Sequence, residues 1–416
     1  MERLALLLVM VVSGWVTRSA AQAWEVFDDV TAGLPSVTVT ALAEDRNGIM
    51  WVGTDFGLCR YESGDWTVTQ PTEGGLPDYR ISALAVDTAD GLWVGTVLGG
   101  LAHFDGTQWT VFNTTNSGLP DDQITCLTVD HRNWLWIGTY LGLVCYTGDE
   151  WRLYNDTEQS YDGAVLNGTV IRDVQVRADG LVAIGTLNGG FHYLSGSVVQ
   201  VHATYIDQFF DNTQNGVAFD PISGDRWLAC PAQGLLRNFG DWQGGTWFQY
   251  ATWNSDLPSN ALISLALDAS GSPWMGSVLN GLIHRRSNGS FEAFTTSNSG
   301  IPDNGVTRLL FARDGSLWIG TYEGGAARMT FSTGYSERPV SRASLYAEGD
   351  VCWVSGADAE GGTLQWQLLD GTGRSVRSGR ASGADKLSFP IGGLSQGAYQ
   401  LVLVGSRSRE VLRFVR

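Results

Sequence analysis

Basic side chains are scarce: 26 Lys and Arg stand against 43 Asp and Glu, for a formal net charge of -17. A field of that sign repels nucleic-acid phosphates and anionic membrane surfaces, so neither is expected as a partner. It favours solubility, or a face that attracts cations or basic partners. Cysteine is sparse too, and five is an odd number, which excludes a complete disulfide framework. Cys59 and Cys145 follow the Gly-Leu of two repeats and read as equivalent positions, too far apart to bond. Cys126, Cys230 and Cys352 lie in apolar or strand-like contexts, so all five read as small buried side chains. The five histidines (His103, His131, His192, His202, His284) are scattered without metal-ligand spacing, so neither metal nor cofactor is expected. No phosphate loop or His-Glu-x-x-His is present, and no catalytic residue can be named. Long apolar runs are missing after the first residues. Arg3, the run Leu4 to Val12 and the small-x-small Ala21-Gln22-Ala23 read as an export signal over residues 1–23, too short for a membrane span. The remaining chain is expected to lack membrane helices and to leave the cytoplasm.

What the sequence has in plenty is glycine (53) and tryptophan (17), which suits short antiparallel strands joined by tight turns. Asp314-Gly315-Ser316-Leu317-Trp318-Ile319-Gly320-Thr321 is the phrase the chain repeats. Variants start at Trp51, Trp93, Trp136, Ala183, Trp227 and Trp274. Their spacing of about 42 to 47 residues is that of a propeller blade. Within the third repeat, Ile124 to Val129, Leu135 to Thr139, Gly142 to Tyr146 and Trp151 to Tyr154 read as four strands, with the first nearest the axis. Repeats four and five are degenerate, losing Trp at Ala183 and Gly-Thr at Ala229-Cys230. Irregular stretches lie at Asn155 to Thr169 and around Tyr205 to Asn215. Seven Trp-Gly anchors meet only six internal outer strands, so Trp24 to Phe27 is expected to supply the missing strand and close the ring. The fold class is therefore all-β: a seven-bladed propeller over 24–331, a linker at 332–343, and a small C-terminal β-sandwich over 344–416.

These residues carry two resemblances. Asn298-Ser299-Gly300-Ile301-Pro302-Asp303-Asn304, with the Asp314-Gly315 turn, Leu317 to Thr321 and Gly324-Gly325, resembles the two-component regulator propeller repeat; Asn116 to Asp121 and Asp256 to Asn260 match its opening. That family implies a sensing propeller outside the cytoplasm, often for oligosaccharides. With no kinase or regulator segment in the chain, only ligand binding carries over. The tail resembles the type A sorting domain of type IX secretion, through Asp370-Gly371-Thr372-Gly373-Arg374, Leu394-Ser395-Gln396-Gly397-Ala398-Tyr399 and the terminal Arg413-Phe414-Val415-Arg416. It lacks the Pro-Asn-Pro often found at the first strand. The resemblance implies the type IX machinery as a partner and a secreted or surface location.

The Asp-x-x-Gly turns (Asp87 to Gly91, Asp268 to Gly271, Asp314-Gly315) lack the alternating carboxylates and closing Glu of a calcium loop, and read as hairpin turns. Ligand-binding candidates come from the second-to-third-strand hairpins and the connections between blades. They are Asp55, Phe56, Tyr79, Arg80, Asp121, Asp122, Tyr140, Tyr161, Asn188, Gln233, Asn280, Tyr322 and Glu323. Aromatic faces stack on sugar rings while the polar groups bind hydroxyls. The leading reading is a monomeric secreted or surface protein binding a glycan or protein at its axial face. A propeller-based polysaccharide lyase or glycosidase, needing two carboxylates or a Tyr–His or Tyr–Arg pair near the axis, is the second. A structural or adhesive role is the third.

Overall fold

Each repeat forms one antiparallel four-stranded sheet, and seven such sheets make an all-β propeller. The computed structural model describes residues 22–415 apart from 72–74, 158–159, 203–209, 222, 240–245, 332–343, 349–350, 356–362, 371–374, 383–385, 391–393, 396–397 and 405–408. The export signal (but for its last two residues) and the linker thus lie outside the described residues. Blade one is Val39–Glu44, Met50–Thr54, Gly57–Glu62 and Asp65–Thr69, in that order from the axis outward. The first strands of blades two to seven are Ile81–Val86, Ile124–Val129, Ile171–Val176, Gly216–Phe219, Leu262–Leu267 and Val306–Phe311. Each packs on the next, and the seventh packs on the first. In blade seven the outermost place belongs to Gln22–Phe27, antiparallel to Ala326–Phe331, with Trp24 opposite Met329 and Phe27 opposite Ala326.

The repeated Trp-x-Gly-Thr has a separate reason at each position. Trp51, Trp93, Trp136, Trp227, Trp274 and Trp318 are all buried between neighbouring sheets. Trp318 of blade seven, for instance, packs on Tyr61 and Trp66 of blade one. Glycine is required because the next blade's first strand approaches closely: a Cβ on Gly95 would stand 2.5 Å from Ile124 Cγ2, and one on Gly53 2.6 Å from Ile81 Cγ2. Threonine locks the hairpin. Thr96 Oγ1 donates to Gly100 O (2.8 Å) and accepts from Gly99 N (3.1 Å) while fully buried. Thr54, Thr139, Thr186, Ser277 and Thr321 repeat this double bond. The Asp turns also do structural work. Asp130 Oδ1 accepts from the backbone N–H of Arg132 and Trp134, and its Oδ2 accepts from the Trp136 indole. Their oxygens are spent on the fold.

One sequence expectation needs correction. Cys59 pairs with Val52, whereas Cys145 pairs with Trp136, one step further from the hairpin. With a side-chain period of two, that offset puts the cysteines on opposite faces of their sheets, in different core clusters. The deep anchor of the first strand is Phe27, stacked on Trp318 at 5.2 Å and tilted against Tyr61 and Trp66. Trp24 is only partly buried, against Phe294 and Gly300. It holds the place that Trp109 and Trp151 hold over Gly75 and Gly118.

Degenerate blades four and five keep their junction closed differently. Phe191 and Tyr193 fill the space left by Ala183, and the buried Arg226 donates to the Tyr193 hydroxyl at 2.9 Å. Beyond the propeller lie two more antiparallel sheets. One orders Ser344–Glu348, Val351–Ser355 and Lys386–Pro390. The other orders Ser375–Ser382, Thr363–Asp370, Ala398–Val404 and Arg409–Val415. Among the described residues no helix is long and apolar enough to cross a membrane.

Candidate functional site: one face of the ring

Because each blade zigzags outward from the axis, the second-to-third-strand hairpins and the inter-blade connections share one face. Hydrogen bonds tie them together: Val97 N–H to Arg80 O, Leu187 N–H to Val170 O, Val278 N–H to Ala261 O and Tyr322 N–H to Gly305 O, at 2.9 to 3.2 Å. The face differs from its opposite in composition. Phe56, Tyr79, Leu98, Tyr140, Leu141, Val165, Trp253, Val278, Leu279 and Tyr322 are exposed large apolar side chains, and all lie here. Leu279 is 77% exposed, Phe56 58% and Tyr322 46%. No turn of the opposite face carries one among the described residues.

The proposed ligand residues sort themselves by what they already hold. Phe56 and Tyr79, from adjacent blades, form one aromatic pair with ring centroids 6.1 Å apart. Tyr140, Tyr322, Asn280, Glu323 and Arg80 project from the same face. Asp55 keeps one buried oxygen without a hydrogen bond. Others serve the scaffold. Asp122 accepts from Thr114 N–H (2.8 Å), as Asn260 does from Thr252 and Asn304 from Thr296, so it is a repeated loop brace. Asp121 accepts from Gln123 N–H. Gln233 is held by Gln249 through both its carbonyls. Asn188 is bonded to Thr213. Tyr161 packs edge-on against buried Tyr154 of blade three's outer strand and under Arg152, away from the axis.

The groups nearest the axis were missed. At one level of the ring the residues paired with the second-strand Gly (or Ala229) are Ala41, Ala83, Cys126, Asp173, Gly216, Ser264 and Arg308. In six of the blades this level sits at a β-bulge close to the hairpin face. Five of the seven are small. The two long polar ones carry opposite charges, and each feels the other. Burial pushes the Asp173 carboxyl up to about 6, against the pull of Val217 N–H and of the Arg308 charge. Burial likewise lowers Arg308, which also lies within electrostatic reach of Cys126, Tyr322 and Arg172. Asp173 spends its oxygens on the N–H groups of Val174 (2.9 Å) and Val217 (2.7 Å). A charged residue in the most apolar strand of a repeat was the available signal.

Geometry of this kind defines a propeller with a differentiated axial face. The two-component regulator propeller description matches residues 33–56, 118–141 and 300–323, each running from an inter-blade connection to the hairpin of the same blade. The chain thus carries two-component regulator propeller repeats. Among solved structures, an extracellular domain assigned to a hybrid two-component system of B. thetaiotaomicron matches with a TM-score of 0.65 and 17% identity, covering 94% of this chain and 57% of that one. PorZ, a surface component of the type-IX secretion system of Porphyromonas gingivalis, matches with a TM-score of 0.55 and 16% identity, covering 91% and 59%. Virginiamycin B lyase from Staphylococcus aureus matches with a TM-score of 0.59 and 12% identity, covering 75% and 100%. The chain spans less than two thirds of the first two structures, and at these identities the likeness is one of fold. No curated protein matches it.

Proposed function

We propose that the protein is a binding disc acting outside the cytoplasm, which takes a glycan on its hairpin face. The gathering of exposed aromatic and apolar side chains on the turns and connections of that one face, against none on the described turns of the other, carries the reading, since water-facing rings beside hydroxyl-binding groups suit sugar stacking. The extracellular neighbours are in keeping with this location. The test is a glycan array probed with the full chain, repeated with Phe56→Ala/Tyr79→Ala. Glycan binding that weakens about tenfold or more in the double variant supports the proposal, and no binding across broad polysaccharide classes ends it.

The two C-terminal sheets are, in this reading, a sandwich that serves as a type IX sorting domain. Its support is the tail's resemblance, together with a neighbour that is itself a part of that system. Removing residues 344–416 should then abolish export while leaving the propeller folded. The pairing of Gln22–Phe27 with blade seven serves as the ring's closure. A lyase is the second reading, favoured by Arg308 and Tyr322 lying within electrostatic reach at the axis. Assaying unsaturated ends in array-positive samples separates it from simple binding.

A further inference from the structure

We infer that the axial mouth is a carboxylate subsite, in which Arg308, seconded by Arg172, receives the acid group of a uronic-acid unit. The inference rests on the glycan reading above and names the sugar class.

Arg308 reaches the axis because its level of the ring is otherwise small. Ala41, Ala83 and Gly216 leave the middle open. Its place on the first strand, level with Cys126 of blade three and Asp173 of blade four, sets it at the mouth, where it is half-buried. A half-buried guanidinium gains from a counter-ion or a set of acceptors in contact with it. Arg308 has neither at contact distance: among the described residues its one hydrogen bond is Nη1 to Thr307 O at 2.9 Å, and no carboxylate lies within 4.0 Å of it. Asp173 is the acid whose charge Arg308 feels most, but its oxygens are held by two backbone amides and make no contact with the guanidinium, so two arginines, Arg308 and Arg172, face this one carboxylate.

A second observation points the same way. Arg172, next in the chain to Asp173, is exposed and makes no hydrogen bond or ion pair among the described residues. Two arginines therefore stand on the first strands of blades four and seven, in a chain whose net charge is -17. Guanidinium matches a carboxylate in a bidentate fork. The exposed Tyr322 ring, on the hairpin of the same blade as Arg308, offers a stacking surface for the sugar that carries the acid. That juxtaposition favours a uronate over a peptide terminus.

The experiment is calorimetric titration of the full chain with oligomers of galacturonate, mannuronate and glucuronate, each beside its carboxyl-reduced neutral counterpart, and with a short peptide bearing a free C-terminal carboxylate. At least one uronate should bind tenfold or more tightly than its neutral counterpart. Arg308→Gln should remove that preference while leaving the neutral sugar's affinity within about twofold, and Arg172→Gln should cut it several-fold. The wild-type preference is decisive even if Arg308→Gln folds poorly. Neutral oligomers binding as well as all three acids would overturn the carboxylate subsite but leave the glycan reading standing. Binding of neither acid nor neutral sugar would end both. A peptide preferred over every uronate would overturn the sugar assignment.

Discussion

Replacing Phe27 by Ala tests the claim that the first strand locks the ring. Phe27 is 7% exposed, and its ring lies at 5.2 to 5.3 Å from those of Trp318, Tyr61 and Trp66, which come from blades seven and one. Truncating a buried Phe costs about 3–5 kcal/mol, because the cavity cannot collapse between rigid aromatic neighbours. Val26, its neighbour on the same strand, is exposed, and Val26→Ala should cost less than about 1 kcal/mol. At roughly 2 °C of midpoint per kcal/mol for a large domain, the first variant should melt about 6–10 °C lower and the second within about 2 °C of wild type. Thermal melts followed by tryptophan fluorescence read the difference, since Trp318 and Trp66 line the cavity. Equal effects from the two variants, or an unchanged midpoint after deletion of residues 22–27, would refute the reasoning.

Other expectations can be checked in the same way. Gly95→Ala should cost about 1–3 kcal/mol in urea denaturation, because the new methyl meets Ile124 of the next blade; a neutral result would mean the ring breathes at that seam. Thr96→Val removes a buried hydroxyl that bonds twice, and should cost about 1–3 kcal/mol by the same measurement. Asp173, pushed up to about 6 from 3.8, binds its proton more tightly folded than unfolded, so its share of stability is fully present below about pH 4 and is lost as pH rises through 6. Asp173→Asn should remove that decline. Melting midpoints of the two proteins measured from pH 4 to 7 should converge at the acid end and separate toward neutrality.

Much of the scaffold could be read in advance because its reasons are local and repeated. Trp-x-Gly-Thr combines a wedge, a close approach and a hairpin lock, and any blade missing one member, as at Ala183 or Cys230, advertised its irregularity. The partner strand of blade seven was legible by subtraction, although which of its residues goes deepest was not. Trp24 and Phe27, three residues apart, face opposite sides of the strand, and only the assembled ring shows that Phe27 meets Tyr61 and Trp66 of blade one while Trp24 meets Phe294 of blade six. The axial level stayed hidden for a similar reason. A bulge shifts the alternation of the first strand, so position along the strand does not say which side chain meets the axis, and Arg308 and Asp173 come from repeats far apart in the chain. The rim candidates suffered from the opposite problem. Asp122 looked like a ligand group until Asn260 and Asn304 showed the same position bracing other loops.

Four thiols, those of Cys59, Cys126, Cys145 and Cys230, are free and buried. Burial raises the first three to about 12 and Cys230 well above its ordinary value, so almost none of the nucleophilic thiolate exists while the ring is shut. In an oxidising setting such a molecule is chemically quiet only for as long as it stays assembled. Once sheets part, sulfur atoms from different blades are released together and can crosslink at random, so opening becomes a one-way event. The disc's lifetime then depends less on its equilibrium stability than on how seldom a seam between blades comes undone.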